Sequence, residues 1–537
     1  MKISDYLLKT LHMNGVRFIF GNPGTTEISL VRRCGHAETP AYVIALNELA
    51  AVAMADGYAR ATRSLGVVNL HAAPGLGNGI GALYTAQMNH TPLLAIVGAQ
   101  DQRHAHTVPT LHGPLVEMAV PVAKATYTLT SPYDAPFHIK QALRTALTAP
   151  FGPVVLIGPL DLWEAEIEDS EETPVPVTIP VLPGVNEHDA QLLAQFLGDA
   201  HHPALIVTDE VYWNKAEHEV ASLATKLGAP VYVAPYTGVM PLSSADPLFA
   251  GFLPPNRQTW TTRLQRHDAL FFLGGKGLRA TLYTTGRLHQ KKAWIGQDTS
   301  LLGLDGEYVL ARVADLRSSL HLIHEKLSPA KPHGGSVVRP SFTPVSTTSG
   351  KLHPSSVVHT LLRAFPHAVW VDESGLSTTD VRGWIMTDAG DYFSNGSGGI
   401  GWALPATVGV QLAHSDRHII GIIGDGSMMY ASEAMWTATH QRLHITVIVL
   451  VNSRYATLNT ALYAFTGQTA LDAFSLDTPA IGFAHLAQAY GWSYACIETM
   501  EAFHRALADL PTQNEGNTLL EVRLDPEAVP ITASEHF

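Results

Sequence analysis

An α/β protein of three doubly wound domains with mostly parallel sheets is predicted, and three observations predict it. Short apolar runs alternate with helical patterns along the whole chain, the mark of strand–helix–strand units with helices on both faces of a sheet. At 537 residues the chain is longer than a single hydrophobic core supports, since cores stop growing at roughly 250–300 residues. Two irregular stretches then cut it into pieces of similar size. Glu166 to Pro183 is acidic and then proline-rich, and Ser328 to Lys351 is dense in Pro, Ser, Thr and Gly with no period. The predicted domains are 1–165, 184–327 and 352–537.

In the first piece Val16–Phe20, Leu65–Leu70 and Leu93–Val97 read as buried strands, and Glu48 to Arg63 reads as an Ala-rich helix. In the second, Ala204–Val207, Pro230–Val233 and Ala269–Leu273 are strand-like. In the third, Val369–Val371, Ile419–Ile423 and Ile445–Val451 are strand-like, with a helix expected over Ser432 to Gln441. Sheets of this type bind ligands beyond the carboxyl ends of their strands, so the loops after strands carry the functional expectation.

Composition narrows the function classes. The formal net charge is -13 and is spread along the chain, which argues against general affinity for nucleic acid or anionic membranes. No run of about eighteen apolar residues occurs, so no membrane span is expected. The N-terminus lacks the basic, apolar and cleavage regions of a secretory signal, and a cytoplasmic protein is the default expectation. Cys34 and Cys496 are too few and too far apart for a disulfide framework and read as ordinary thiols.

The chemistry-bearing pattern lies in the third piece. Ile419–Ile423 runs into Gly424-Asp425-Gly426-Ser427, and Ile445–Val451 runs into Asn452-Ser453-Arg454-Tyr455. Glycines let backbone approach an anion, and the amides opening a following helix point toward it. Asp425 and Asn452 are hard oxygen donors suited to Mg²⁺ or Ca²⁺. A Mg²⁺ held by one carboxylate, one amide oxygen and one backbone carbonyl keeps coordination positions free for phosphate oxygens. Gly-Asp-Gly alone is more often a tight turn; its pairing with the Asn-ended strand is the specific signal.

With that pairing the chain resembles the thiamine-diphosphate enzyme family, and within it the benzoylformate decarboxylases. The resemblance runs across nearly the whole chain. It includes Gly21-Asn22-Pro23-Gly24-Thr25-Thr26-Glu27, Ala45-Leu46-Asn47-Glu48, Ala55-Asp56-Gly57-Tyr58-Ala59-Arg60 and Asn69-Leu70-His71-Ala72-Ala73-Pro74-Gly75, followed by Gly77-Asn78-Gly79. The family's metal motif ends in an Asn pair; here Val451 stands at the first position and Asn452 at the second, the metal-binding one in that subgroup. The resemblance implies thiamine diphosphate and Mg²⁺, with Asp425, Asn452 and the carbonyl of Arg454 on the metal. It implies cofactor contacts from Asn22, Pro23, Gly24, Gly375, Leu376, Gly398, Ile400, Gly424, Gly426, Ser427 and Tyr455. Ile400 is the expected apolar wedge under the rings, and the Gly398 carbonyl the acceptor for the pyrimidine amino group.

Glu48 is the expected activating carboxyl, which in the family hydrogen-bonds the pyrimidine in a dry pocket; an arbitrary Glu here is more simply an end-of-helix charge. His71 falls on a histidine that handles protons, work suited to imidazole near neutral pH. Thr25 falls where the subgroup has a Ser contacting the substrate carboxylate. The subgroup's second active-site histidine has no counterpart, for Thr281 stands in its place, and Ala461 replaces an aromatic that packs on the aryl substrate. The loop holding Arg103, His104, His106 and His112 either supplies the absent relay through His104 or His106, or is a polar surface loop. Leu273-Gly274-Gly275-Lys276-Gly277 lacks dinucleotide spacing, so the FAD carried here by the acetolactate-synthase branch is not expected.

The expected reaction is non-oxidative decarboxylation of a 2-oxo acid to an aldehyde. Two alternatives stay open: acyloin synthesis or cleavage with the same cofactor, and a non-catalytic relative. The partners implied are a small 2-oxo acid or aldehyde and further copies of the chain, as a homodimer or homotetramer with active sites shared between subunits.

Overall fold

The computed structural model describes residues 1–530 apart from 168–171, 276, 329–336, 338–344, 346–349 and 511–515. Most of the stretch from Ser328 to Lys351 lies outside the described residues, as do four positions of the first irregular stretch. Three six-stranded sheets follow one another along the chain. The first is built from β1 (Phe18–Asn22), β2 (Ala41–Ile44), β3 (Gly66–Leu70), β4 (Leu93–Ala99), β5 (Ala125–Thr128) and β6 (Pro153–Pro159). The central sheet contains β7 (Pro203–Val207), β8 (Val231–Val233), β9 (Phe249–Phe252), β10 (Ala269–Leu273), β11 (Lys291–Gly296) and β12 (Leu310–Val313). The third contains β13 (Val369–Glu373), β14 (Tyr392–Ser394), β15 (Ile419–Gly424), β16 (Ile445–Val451), β17 (Ser493–Ile497) and β18 (Thr518–Arg523).

Every ladder within these sheets is parallel. The cause is visible in the inner strands: β3, β6, β7, β10 and β13 are buried at every position. Helices covering both faces demand continuous apolar runs instead of alternation. The first and third sheets share one order, β2-β1-β3-β4-β6-β5 and β14-β13-β15-β16-β18-β17. The central order, β12-β11-β10-β7-β8-β9, is the dinucleotide-binding one read from the far edge.

Element edges differ from expectation where local hydrogen bonding decides them. β1 starts at Phe18 instead of Val16, because the Val16 amide closes the turn after the first helix by donating to Leu11 O at 3.1 Å. The helix beginning at Glu48 ends at Thr62 instead of Arg63, since Arg63 takes a left-handed conformation at φ 50° and caps it. Asn47 caps the other end by accepting from Leu49 N. This helix crosses Ala403–Ala413 at backbone contact: a Cβ at Gly409 would overlap the Met54 carbonyl, and one at Gly57 the Ala406 carbonyl.

The three sheets meet at Arg60, which is 1% exposed. Its guanidinium donates to Ser394 O at 3.1 Å and to Gly238 O, and it lies 4.8 Å from the Trp402 ring centroid. Asp56, 3.8 Å away, balances the charge and itself accepts from Asn89, Thr91 and Trp402. Saturation of this kind is required of a cation withdrawn from water. Among the described residues no helix is long and apolar enough to cross a membrane.

A buried imidazole in the central domain yields a stability prediction. His267 Nδ1 lies 3.2 Å from His202 O and Nε2 3.2 Å from Tyr232 OH, an arrangement that fits the neutral ring. Burial pushes its pKa down to about 4 from 6.5. A depressed folded-state value means the ring stabilises the fold fully above pH 6.5 and loses that contribution as pH falls through about 4. The melting-temperature advantage of wild type over His267→Asn is therefore expected to be largest above pH 6.5 and to shrink toward pH 4 in melts across that range.

Candidate active site

Two clusters of the expected residues form, at the carboxyl ends of the first and third sheets. In the first, Glu48 is 6% exposed and opens its helix. Asn22, the last residue of β1, donates Nδ2 to Glu48 Oε1 at 3.3 Å, and Asn78 donates to Oε2 at 3.1 Å. Beside it His71 follows β3, with Nδ1 2.9 Å from Glu27 Oε2. Glu27 is fully buried, and its second oxygen accepts from Thr26 Oγ1 while the Gly24 amide donates to Oε2. A carboxylate there assigns the hydrogen to His71 Nδ1 and leaves Nε2 with the lone pair. A Cβ at Gly98 would overlap Glu27 Oε1, so β4 must carry glycine at that point. Pro23 and Gly24 are part-buried at the edge of this cluster, and Thr25 is exposed.

The second cluster lines a cavity of about 900 Å³. Gly375, Leu376, Gly398, Ile400, Gly424, Asp425, Gly426, Ser427, Asn452, Arg454 and Tyr455 all face it. Asp425 Oδ1 accepts from Gly426 N at 2.8 Å, and Oδ2 from Asn452 N at 3.2 Å and Ser453 N at 2.7 Å. Burial pushes its carboxyl above the ordinary range, against the pull of those amides. Among the described residues no cationic side chain pairs with it. Asn452 Oδ1 accepts from Arg454 N at 3.1 Å, and the Arg454 side chain reaches Glu527. The Arg454 carbonyl accepts from Ala456 N, which leaves it one lone pair.

Glu373 braces the loop opposite, accepting from Gly401, Trp402 and Ala403 amides at 2.5, 2.8 and 2.7 Å. Burial pushes this carboxyl up to about 7 while the amides hold it down. The central domain closes one side of the cavity with Tyr236 and Thr281.

Both groups that the resemblance implies can be tested against these residues. A buried carboxylate without a countercharge, flanked by amide and carbonyl oxygens, fits a hard divalent cation. No group of three or more His, Cys, Asp or Glu side chains among the described residues offers a softer site. The cavity volume falls within the range of about 300–1,000 Å³ usual for cofactor pockets. The central sheet is different. At its switch point Glu210 accepts from Gly275, Gln297 and Asp298 amides at 2.9, 2.7 and 3.3 Å, so a carboxylate occupies the donors a dinucleotide diphosphate would use.

Within one chain the two clusters stay apart, for neither Glu48 nor His71 lines the Asp425 cavity. His104 and His106 stand exposed on their loop, with no hydrogen bond to Glu48 or His71. Ala461 is part-buried in a helix, Ala456–Thr466, that buries none of its residues. Three contributors escaped the sequence reading as site residues: Glu27, Asn78 and Tyr236. The signal for Glu27 was its position three residues after Gly24, from which its carboxylate accepts from the Gly24 amide at 3.0 Å.

Known proteins resemble this chain over most of its length. Family models for the thiamine pyrophosphate enzyme match residues 1–120 (N-terminal TPP binding domain), 190–320 (central domain) and 368–522 (C-terminal TPP binding domain). The chain is 31% identical to a benzoylformate decarboxylase of Pseudomonas aeruginosa over 93% of its length and 94% of the relative. It is 26% identical to an acetolactate synthase of Arthrospira platensis, over 99% and 96% of the two chains. A thiamine diphosphate-dependent 4-hydroxybenzoylformate decarboxylase of Rhodococcus jostii RHA1 superposes with a TM-score of 0.90 at 29% identity, covering 98% of this chain and 99% of that one. Benzoylformate decarboxylase from Polynucleobacter necessarius gives 0.91 at 26% identity, over 99% and 100%. The chain therefore belongs to the thiamine pyrophosphate enzymes, as a thiamine-diphosphate-dependent member of the decarboxylase and acetolactate synthase family.

Proposed function

We propose that the protein is a Mg²⁺-dependent, non-oxidative decarboxylase of 2-oxo acids, releasing CO₂ and an aldehyde. The observation that carries this reading is the buried, unpaired Asp425 at one end of a cavity whose walls include the Gly398–Ile400 turn and the central-domain hydroxyls. Thiamine diphosphate, when bound, supplies the nucleophilic carbon and the electron sink that lets CO₂ depart. Asp425, Asn452 and the Arg454 carbonyl would hold the metal, and the amides of Gly375, Leu376 and Ser427 would hold the diphosphate, with Gly424 and Gly426 letting the backbone come close to it. Glu48 holds a proton for the pyrimidine nitrogen, kept in place by Asn22 and Asn78. His71 Nε2 moves protons at the substrate, and Glu27 fixes its ring and balances the charge it acquires. Thr25 orients the substrate carboxylate.

In this proposal the site is shared between subunits, because one chain keeps Glu48 out of the Asp425 cavity. Exposed large apolar side chains at both clusters support it: Leu46, two residues before Glu48, on one, and Tyr430 and Tyr463, which line the cavity, on the other. Carboligation is the second reading, favoured by Thr281, a hydroxyl in place of a proton-relaying imidazole. A panel of aryl and aliphatic 2-oxo acids, scored for CO₂, tests the choice. CO₂ with aldehyde is expected from at least one aryl member; hydroxyketone cleavage with no CO₂ from any would replace the reading with its rival. His71→Ala is expected to lower kcat about 10²-fold, and Glu27→Gln less but in the same direction with KM little changed, in steady-state assays of the active 2-oxo acid.

A further inference from the structure

The central-domain wall of the large cavity carries two hydroxyls that act as one unit. Tyr236 OH lies 2.6 Å from Thr281 Oγ1, and both side chains line the cavity together with Asp425 and Ile400. Two hydroxyls so joined use one O–H between them and leave the other free to donate into the cavity. Among the described residues lining that cavity there is no histidine, and on its central-domain wall the hydroxyls are those of Tyr236 and Thr281.

Tyr236 is held there against backbone preference. Its φ is 58°, a conformation that is costly for a bulky residue and persists where the surroundings over-determine it. Arg279 is one such constraint: its guanidinium lies 5.1 Å from the Tyr236 ring centroid and donates to Gly396 O at 3.0 Å. Arg382, which donates to Thr237 O and Ser394 Oγ, brings a second positive charge to the same ring.

We propose that Tyr236, backed by Thr281, donates the proton that completes the aldehyde; this rests on the decarboxylase reading above. The electron pair left by departing CO₂ takes the hydrogen of Tyr236 OH and forms the aldehyde C–H bond. Solvent water then returns a hydrogen to the phenolate through the Thr281 hydroxyl, which takes one from water as it passes its own on, so the net consumption is one proton from water for each CO₂ released.

The test uses holoenzyme with Mg²⁺, thiamine diphosphate and benzoylformate, and two readouts. One follows aldehyde formation. The other follows CO₂ in the presence of 2,6-dichlorophenolindophenol, which oxidises the decarboxylated fragment before it is protonated. Tyr236→Phe keeps the ring and its backbone and is expected to lose about 10²-fold in aldehyde formation, while dye-coupled CO₂ release stays near the wild-type rate. Thr281→Val, which leaves the Tyr236 ring in place, is expected to show the same split with a smaller loss. Unchanged aldehyde formation in both variants, or an equal fall in the two readouts, overturns the role of Tyr236 alone. A wild-type enzyme that releases CO₂ from no 2-oxo acid overturns the decarboxylase reading, and this inference with it.

Discussion

Glu48→Gln is expected to lower turnover by 10³-fold or more and to leave the fold and cofactor binding in place. Both Glu48 oxygens accept from side-chain amides, Asn22 on one and Asn78 on the other, inside a site only 6% exposed. Glutamine keeps the length and one acceptor. Its NH₂ then opposes one of the two Asn amides, an unmade hydrogen bond worth about 1 kcal/mol, which is small beside the stability of a large α/β subunit. The catalytic loss has a different origin. A carboxyl can carry a proton to a ring nitrogen and take it back; a carboxamide can do neither, and positioned proton transfer is worth about 10²–10⁴ in rate. Its effect on initial activation multiplies every later step. The measurements are turnover of the best 2-oxo acid and fluorescence titration with thiamine diphosphate and Mg²⁺. Near-normal turnover would remove Glu48 from its assigned role.

What the sequence made legible follows from how far apart the partners lie along the chain. Asp425 and Asn452 were readable because each ends a strong apolar strand, and neighbouring parallel strands put their carboxyl ends together; β15 pairs β16 from Ile419 to Gly424. Glu48 was readable as a carboxyl at the head of an Ala-rich helix. The Glu27–His71 pair was not, since 44 positions separate residues whose contact depends on β1 and β3 being neighbours. Tyr236 and Thr281, 45 positions apart, meet only because of how the central sheet is wound. Thr281 could be seen in the place of a missing histidine, but not the hydroxyl packed against it. The segment around Arg60 could be matched as a motif, whereas its work as the junction of three sheets needs the folded chain. Parallel sheets could be anticipated from unbroken apolar runs; the strand order could not, because order is set by crossovers and leaves little trace in strand composition.

Asp425→Asn is expected to abolish cofactor retention, and in mixed assemblies to be rescued by the Glu48 variant. Asp425 is the one carboxylate among the proposed metal donors, it is 4% exposed, and burial disfavours its charge. Taking away one partner of a buried charge pair costs about 3–5 kcal/mol, equivalent to about 10²–10⁴ in affinity. Asparagine's NH₂ would also face the Asn452 and Ser453 amides that now donate to Oδ2, so the apo-variant is expected to melt slightly below wild type. The larger change is in the ligand effect: the rise in Tm that Mg²⁺ and thiamine diphosphate give wild type together is expected to vanish, as linkage requires when binding is lost. Glu48 and Asp425 lie in separate clusters of one chain, so a shared site predicts complementation. Each variant alone is inactive, but a mixed dimer has one site carrying both defects and one site carrying neither. Unfolding and refolding an equal mixture is then expected to restore about a quarter of the wild-type rate, half the dimers being mixed and each having one intact site of two. A mixture as inactive as its components would place Glu48 and Asp425 in the same site of the same chain, against the separation of the two clusters.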